Sequence, residues 1–203
     1  MVKKKFCSME KLNGKKKLNV SVLISGRGTN LKSLINFSKT KNSRINICLV
    51  ITNNKNAKGL NFARKNNIKY LIVNYKNKIK AESKILLNLK KKKINLICLA
   101  GFMKILSKRI VNRYKGRILN IHPSLLPKYK GLNTHERVIK KKEKHTGCTV
   151  HIVNTKLDNG KIILQSKIKI YKNDSEKTLA KRLLKVENKV YPKAIKKFLD
   201  INL

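Results

Sequence analysis

Three short segments carry residue types that could do chemistry together. In ILNIHPSLLP (118–127), Asn120 and His122 stand two apart. On a strand that spacing brings both side chains out on one face, where they can converge on one atom. An amide donor beside an imidazole suits stabilising an oxyanion and moving a proton. The plain alternative is a strand-end histidine with a structural role. Asp158 lies in LDNG (157–160), a good turn sequence in its own right. Placed near His122, its carboxylate would favour the imidazolium and raise the pKa of the ring. Spacing alone does not bring the two together. The third segment is Ser25-Gly26-Arg27-Gly28-Thr29-Asn30. Glycines allow close backbone approach, and free N–H groups at a helix start favour an anion. A dinucleotide fingerprint would need a third glycine and an acid after the second strand, where Thr52-Asn53-Asn54 stands instead. A phosphate or phosphoribosyl group fits better than NAD, with a plain glycine turn as the alternative.

These segments need elements to hold them. VSVLI (20–24), INICLVI (45–51), KYLIVN (69–74), INLICLA (94–100) and RILNIH (117–122) are rich in β-branched residues and read as strands, the most apolar of them as buried parallel ones. Helices are expected between them, at about 29–40, 56–67, 79–92 and 104–114. This alternation predicts an α/β fold: a single-domain, Rossmann-like open twisted sheet, mostly parallel. CTVHIVN (148–154) and KIILQSKIKI (161–170) flank LDNG and read as a C-terminal antiparallel strand pair. Asp174-Ser175 caps a long final helix over 175–200, expected to be interrupted at Pro192. Residues 1–17 are basic without an apolar stretch and read as a flexible extension. The catalytic domain is expected over 18–203, and open sheets of this kind bind ligands at the carboxyl ends of their strands.

Composition bounds the partners. The formal charge is +42, from 51 Lys and Arg against nine Asp and Glu, with an ordinary 41% apolar content. Lys (43), Asn (24) and Ile (23) together make 90 of the 203 residues. All three are coded by A/T-rich triplets, so base bias competes with selection for a polyanionic partner. Lysines are dispersed, Trp is absent and aromatics are 5%, unlike a basic face interleaved with aromatics. No specific nucleic acid is therefore expected. No window approaches the ~18 apolar residues of a membrane span. Of the four cysteines, Cys48 and Cys98 lie in apolar runs and read as small buried hydrophobes; no metal-ligand spacing is present. With no signal peptide apparent, the cytoplasm is the expected compartment.

The blocks SGRGTNL (25–31), LAGFMKIL (99–106), ILNIHPSLLPKYKG (118–131), GCTVHIV (147–153), LDNGKIILQ (157–165) and VENKVYP (186–192) resemble, in order and spacing, the folate-dependent formyltransferases. The likeness runs from about residue 19 to 200. It is strongest to members that act on 5'-phosphoribosylglycinamide (GAR), and it implies formyl transfer from 10-formyltetrahydrofolate to the GAR amine in purine biosynthesis. No metal is required. By the same resemblance Asn120, His122 and Asp158 form the catalytic trio, with Asp158 keeping the His122 imidazole charged and ordering a water that relays the proton. Gly28, Thr29 and Asn30 hold the GAR phosphate, and Glu187 lies near the glycinamide end. Met103, Lys104, Ile105 and Leu106 line the pterin pocket with Asn120, while His151 and His135 support the site. Lys78 falls where relatives have a folate-contacting Arg, and without the guanidinium's bidentate fork. Asn133 stands where many relatives have His. The resemblance implies a monomer or homodimer. Two enzymes with related chemistry are rivals. Methionyl-tRNA formyltransferases carry a further β-barrel domain for which this chain has no room. Formyltetrahydrofolate hydrolases usually carry an N-terminal regulatory domain that seventeen residues cannot form. A non-catalytic nucleic-acid-binding derivative would leave the trio unexplained.

Overall fold

The computed structural model describes residues 17–202; the basic segment read as an extension lies, up to residue 16, outside them. Seven strands form one sheet in the order β3-β2-β1-β4-β5-β6-β7. Five are parallel: β1 (Leu18–Ile24), β2 (Ile45–Thr52), β3 (Lys69–Ile72), β4 (Leu96–Leu99) and β5 (Ile118–His122). Antiparallel β6 (His145–Ile152) and β7 (Ile162–Lys169) complete it. This is the expected α/β, Rossmann-like sheet with its C-terminal antiparallel pair.

The central strands are apolar on both faces because each face is covered. Along β1, Val20, Val22 and Ile24 join one core while Leu23 joins the other, the period-two alternation of a strand. Leu31, Leu34 and Ile35 of α1 (Thr29–Ser38), Leu60 of α2 (Leu60–Lys65) and the buried stripe of α6 (Glu176–Asn202) close the first face. Ala81, Ile85 and Leu89 of α3 (Lys78–Lys91), with Ile110 of α4 (Lys108–Arg113), close the second. Their i, i+4, i+8 spacing in α3 is a helical stripe.

Several expectations need correction. The final helix is not interrupted at Pro192 but runs unbroken from Glu176 to Asn202. Proline removes one N–H and frees the carbonyl four residues back, at Asn188. The Ser33 hydroxyl of α1 donates to that carbonyl, so the helix continues without an orphaned acceptor. The expected helix at 104–114 starts only at Lys108, since residues 100–107 form a loop. A short helix not expected from the sequence, α5 (Thr134–Lys140), follows Asn133 in the left-handed region at φ 55°. The β6–β7 connection is nine residues (153–161), three more than the six left between the two runs read as strands. Cys48 is only half-buried, its thiol 3.1 Å from Asn19 Oδ1; Cys98 is buried as expected, and Cys148 is buried too.

Candidate active site

Strand order reverses between β1 and β4, and there two loops leave side by side. The Ser25 amide donates to the Gly101 carbonyl (3.1 Å) and the Met103 amide to the Ser25 hydroxyl (2.8 Å). This is the switch-point crevice in which open sheets bind ligands. Gly28 caps α1 at φ 74°, and a Cβ there would lie 2.5 Å from the Gly59 Cα. Only glycine fits both the conformation and the approach. Gly28 is buried and Thr29 half-buried. Asn30 is buried, and its Nδ2 donates to Glu187 Oε2 of α6 at 2.8 Å. Burial pushes the Glu187 pKa up, only partly countered by Asn30.

One strand along, β5 carries Asn120 half-buried and His122 buried, on the shared face their spacing predicts. Antiparallel pairing sets His151 of β6 opposite Asn120. Asn120 Nδ2 donates to His151 Nε2 at 3.2 Å, while His151 Nδ1 donates to the Ile152 carbonyl at 3.2 Å. The long β6–β7 loop brings Asp158 back over both rings. Its Oδ2 lies 3.4 Å from His122 Nδ1 and accepts the Gly131 amide at 2.9 Å; its Oδ1 is 3.7 Å from His151 Nε2. Asp158 sits in the left-handed region at φ 43°, which Asp tolerates better than most residues.

His122 Nε2 donates to the Tyr129 carbonyl at 2.9 Å. The loop bearing that carbonyl is tied down in turn: Ser124 Oγ donates to the Lys128 carbonyl (2.7 Å), and Thr149 Oγ1 donates to the Ser124 carbonyl (2.6 Å). Burial lowers the His122 pKa; the Tyr129 carbonyl and Asp158 raise it without making up the loss. Asp158 thus acts in the expected direction, but desolvation outweighs it and the net shift is downward. For Asp158, burial opposes ionisation, but the contact with His151, the Gly131 amide and the nearby His122 prevail, and its pKa is lowered.

The other expected residues fall around this cluster. Met103 (62%) and Ile105 (68%) are exposed, as is Lys104, while Leu106 is buried beneath the same loop. Lys78 is exposed in the first turn of α3. His135, in α5, has a buried Nδ1 without a hydrogen-bond partner among the described residues, and burial lowers its pKa. The structure thus gathers Asn120, His122, His151 and Asp158 into one cluster and pairs Asn30 with Glu187. The Tyr129 carbonyl and the Gly131 amide were missed, since backbone groups leave no mark in residue types. Thr149 could have been found: it lies two residues before His151, on the same strand face.

A doubly wound sheet with an amide, an imidazole and a carboxylate gathered at its carboxyl edge is the frame of an enzyme site. The chain belongs to the formyl transferase family, whose sequence pattern matches residues 18–195. It is 41% identical over 184 residues to the phosphoribosylglycinamide formyltransferase of Haemophilus influenzae, covering 89% of this chain and 87% of that one. It is also 43% identical over 184 residues to the human trifunctional purine biosynthetic protein adenosine-3, covering 89% of this chain but spanning only 18% of that relative. The crystal structure of phosphoribosylglycinamide formyltransferase from Anaplasma phagocytophilum superposes with a TM-score of 0.85 at 42% identity, covering 89% of this chain and 86% of that one.

Proposed function

We propose that this chain transfers the formyl group of 10-formyltetrahydrofolate to the amino group of GAR, giving formyl-GAR and tetrahydrofolate in purine biosynthesis. The carrying observation is the convergence of Asn120, His122 and Asp158, in a chain 41% identical to a relative named for this activity. The reading places it in the cytoplasm, as a monomer or homodimer acting on small molecules without a metal. Among the described residues, no helix is long and apolar enough to cross a membrane.

The residues suit a folate donor. Met103 and Ile105 present apolar surface beside the crevice, the kind a pterin ring covers, and Lys78 and Lys104 offer cations to its glutamate carboxylates. The donor supplies an electrophilic formyl carbon. Gly28 and Thr29, at the start of α1, hold the GAR phosphate with backbone N–H groups. Glu187, fixed by Asn30, accepts from the glycinamide end. Asn120 directs an N–H at the formyl oxygen as it gains charge. His122 is mostly neutral at pH 7 in the free chain, given its lowered pKa. Charge growing on the nearby oxygen raises its proton affinity, so it takes up the proton of the attacking amine. Asp158 stabilises the resulting imidazolium, and that proton passes to the departing folate nitrogen as its bond to the formyl carbon breaks.

The test offers purified protein 10-formyltetrahydrofolate with GAR and, in parallel, with initiator Met-tRNA, and measures the formylated products by mass spectrometry. Formyl-GAR as the sole product is expected. Formyl-Met-tRNA, or free formate with neither acceptor formylated, would overturn the reading.

A further inference from the structure

Glu82 is 3% exposed, a buried carboxylate in a chain with nine acids and 51 bases. A buried charge is costly unless it is compensated, and the partner the structure gives it is not a lysine. Glu82 Oε1 accepts the backbone amide of Ser107 at 2.8 Å. Ser107 caps α4 and ends the 100–107 loop, whose exposed Met103, Lys104 and Ile105 form one wall of the proposed folate site.

The loop is held at three points. The Ser25 hydroxyl takes the Met103 amide at its β1 side. Tyr75, just ahead of α3, packs edge-on against Phe102 with ring centroids 5.8 Å apart. Glu82, inside α3, takes the far end. Arg109 Nη1 adds a second α3–α4 bridge, donating to the Ser83 hydroxyl at 3.1 Å. Lys78 lies four residues before Glu82, on the same side of α3. Through Glu82, one helix carries a cation for the folate tail and also fixes the loop that receives the pterin.

Resting on the proposed function, we propose that Glu82 is a positioning residue for the formyl donor: by holding the Ser107 amide it fixes the Met103–Ile105 loop against α3 and so sets donor affinity. It touches no group at Asn120, His122 or Asp158, so its removal leaves the chemical step and GAR binding in place.

The experiment compares wild type, Glu82→Leu and Glu82→Gln. It measures kcat, KM for each substrate and calorimetric binding of tetrahydrofolate and GAR separately. In Glu82→Leu the donor KM and the tetrahydrofolate Kd rise about tenfold, the scale of one charge-assisted hydrogen bond. GAR affinity and kcat at saturating donor stay within about twofold of wild type. Glu82→Gln retains a carbonyl acceptor for the Ser107 amide and recovers most of the donor affinity. An unchanged donor KM, an equal loss for both substrates, or a Gln variant as weak as the Leu variant would overturn the assignment. Should Glu82→Leu fail to fold, Ser107→Pro deletes the same donor from the loop side, at a φ of −69° that suits proline. It must raise the donor KM alone, and a folded Ser107→Pro with normal donor KM overturns the proposal. Wild type binding neither ligand would sink the proposed function itself, and Glu82's role with it.

Discussion

The Tyr129 carbonyl lies 2.9 Å from His122 Nε2, so the loop behind the site holds the ring by a bond that requires a proton on that nitrogen. The Nδ1 edge is left to Asp158, yet burial still disfavours a second proton there. A buried imidazole of this kind makes the folded state bind fewer protons than the unfolded chain below pH 6.5. Stability contributed by neutral His122 and His135 is therefore full above 6.5 and falls as the pH drops below it, by up to about 1.4 kcal/mol per pH unit for each group. The lowered Asp158 pKa works in a separate window: its contribution is present above 3.8 and is lost at still lower pH. Thermal melts between pH 8 and 5 check this. Tm should decline below 6.5, and His122→Asn should make the decline shallower.

Asp158→Asn keeps the shape of the side chain but removes the charge proposed to support an imidazolium at His122. Turnover is expected to fall by about 10²- to 10⁴-fold with circular dichroism unchanged. Asn120→Ala removes the N–H donor and the hydrogen bond to His151, with an expected loss of about 10²- to 10³-fold in kcat. The double variant should be far less impaired than the product of the two, because the residues act as a unit. Substrate affinities near wild type in all three would separate chemistry from binding.

Much of this site was legible in the sequence, though unevenly. The β-rich runs announced the sheet because strands buried on both faces must be continuously apolar, and the Asn120–His122 spacing announced their shared face. The nearness of Asp158 to His122 was not legible: 36 positions, a helix and a strand separate them, and only the β6–β7 loop closes the gap. The continuity of α6 past Pro192 was also hidden, since it depends on a Ser33 hydroxyl reaching a carbonyl 155 residues away. The net direction of the His122 shift was not legible because spacing reveals charged neighbours but not the loss of water around them.

Gly28→Ala adds a methyl group 2.5 Å from the Gly59 Cα at a left-handed φ. The variant is expected to lose about 2 kcal/mol or more of stability, read from urea denaturation. At Gly26 a methyl group would meet nothing within 4 Å, so Gly26→Ala should leave the midpoint where it is.

The +42 charge should act mainly on encounter. Both proposed substrates are anions, so kcat/KM should fall as salt rises while kcat stays level. A kcat/KM indifferent to ionic strength would show that the lysines contribute nothing to capture.

The Asn30–Glu187 bond joins residues 157 positions apart, linking the first helix to the last. A chain emerging from the ribosome therefore exposes Asn120, His122 and Asp158 well before it can finish the floor beneath them. Until α6 docks, Asn30 has no carboxylate to meet, and the carbonyls of Leu99 and Leu119 lack the Tyr191 hydroxyl that bridges them at 3.1 and 3.0 Å. The contacts that α6 makes with α1, β4 and β5 thus form last in synthesis, and a chain halted before residue 187 is expected to lack all of them.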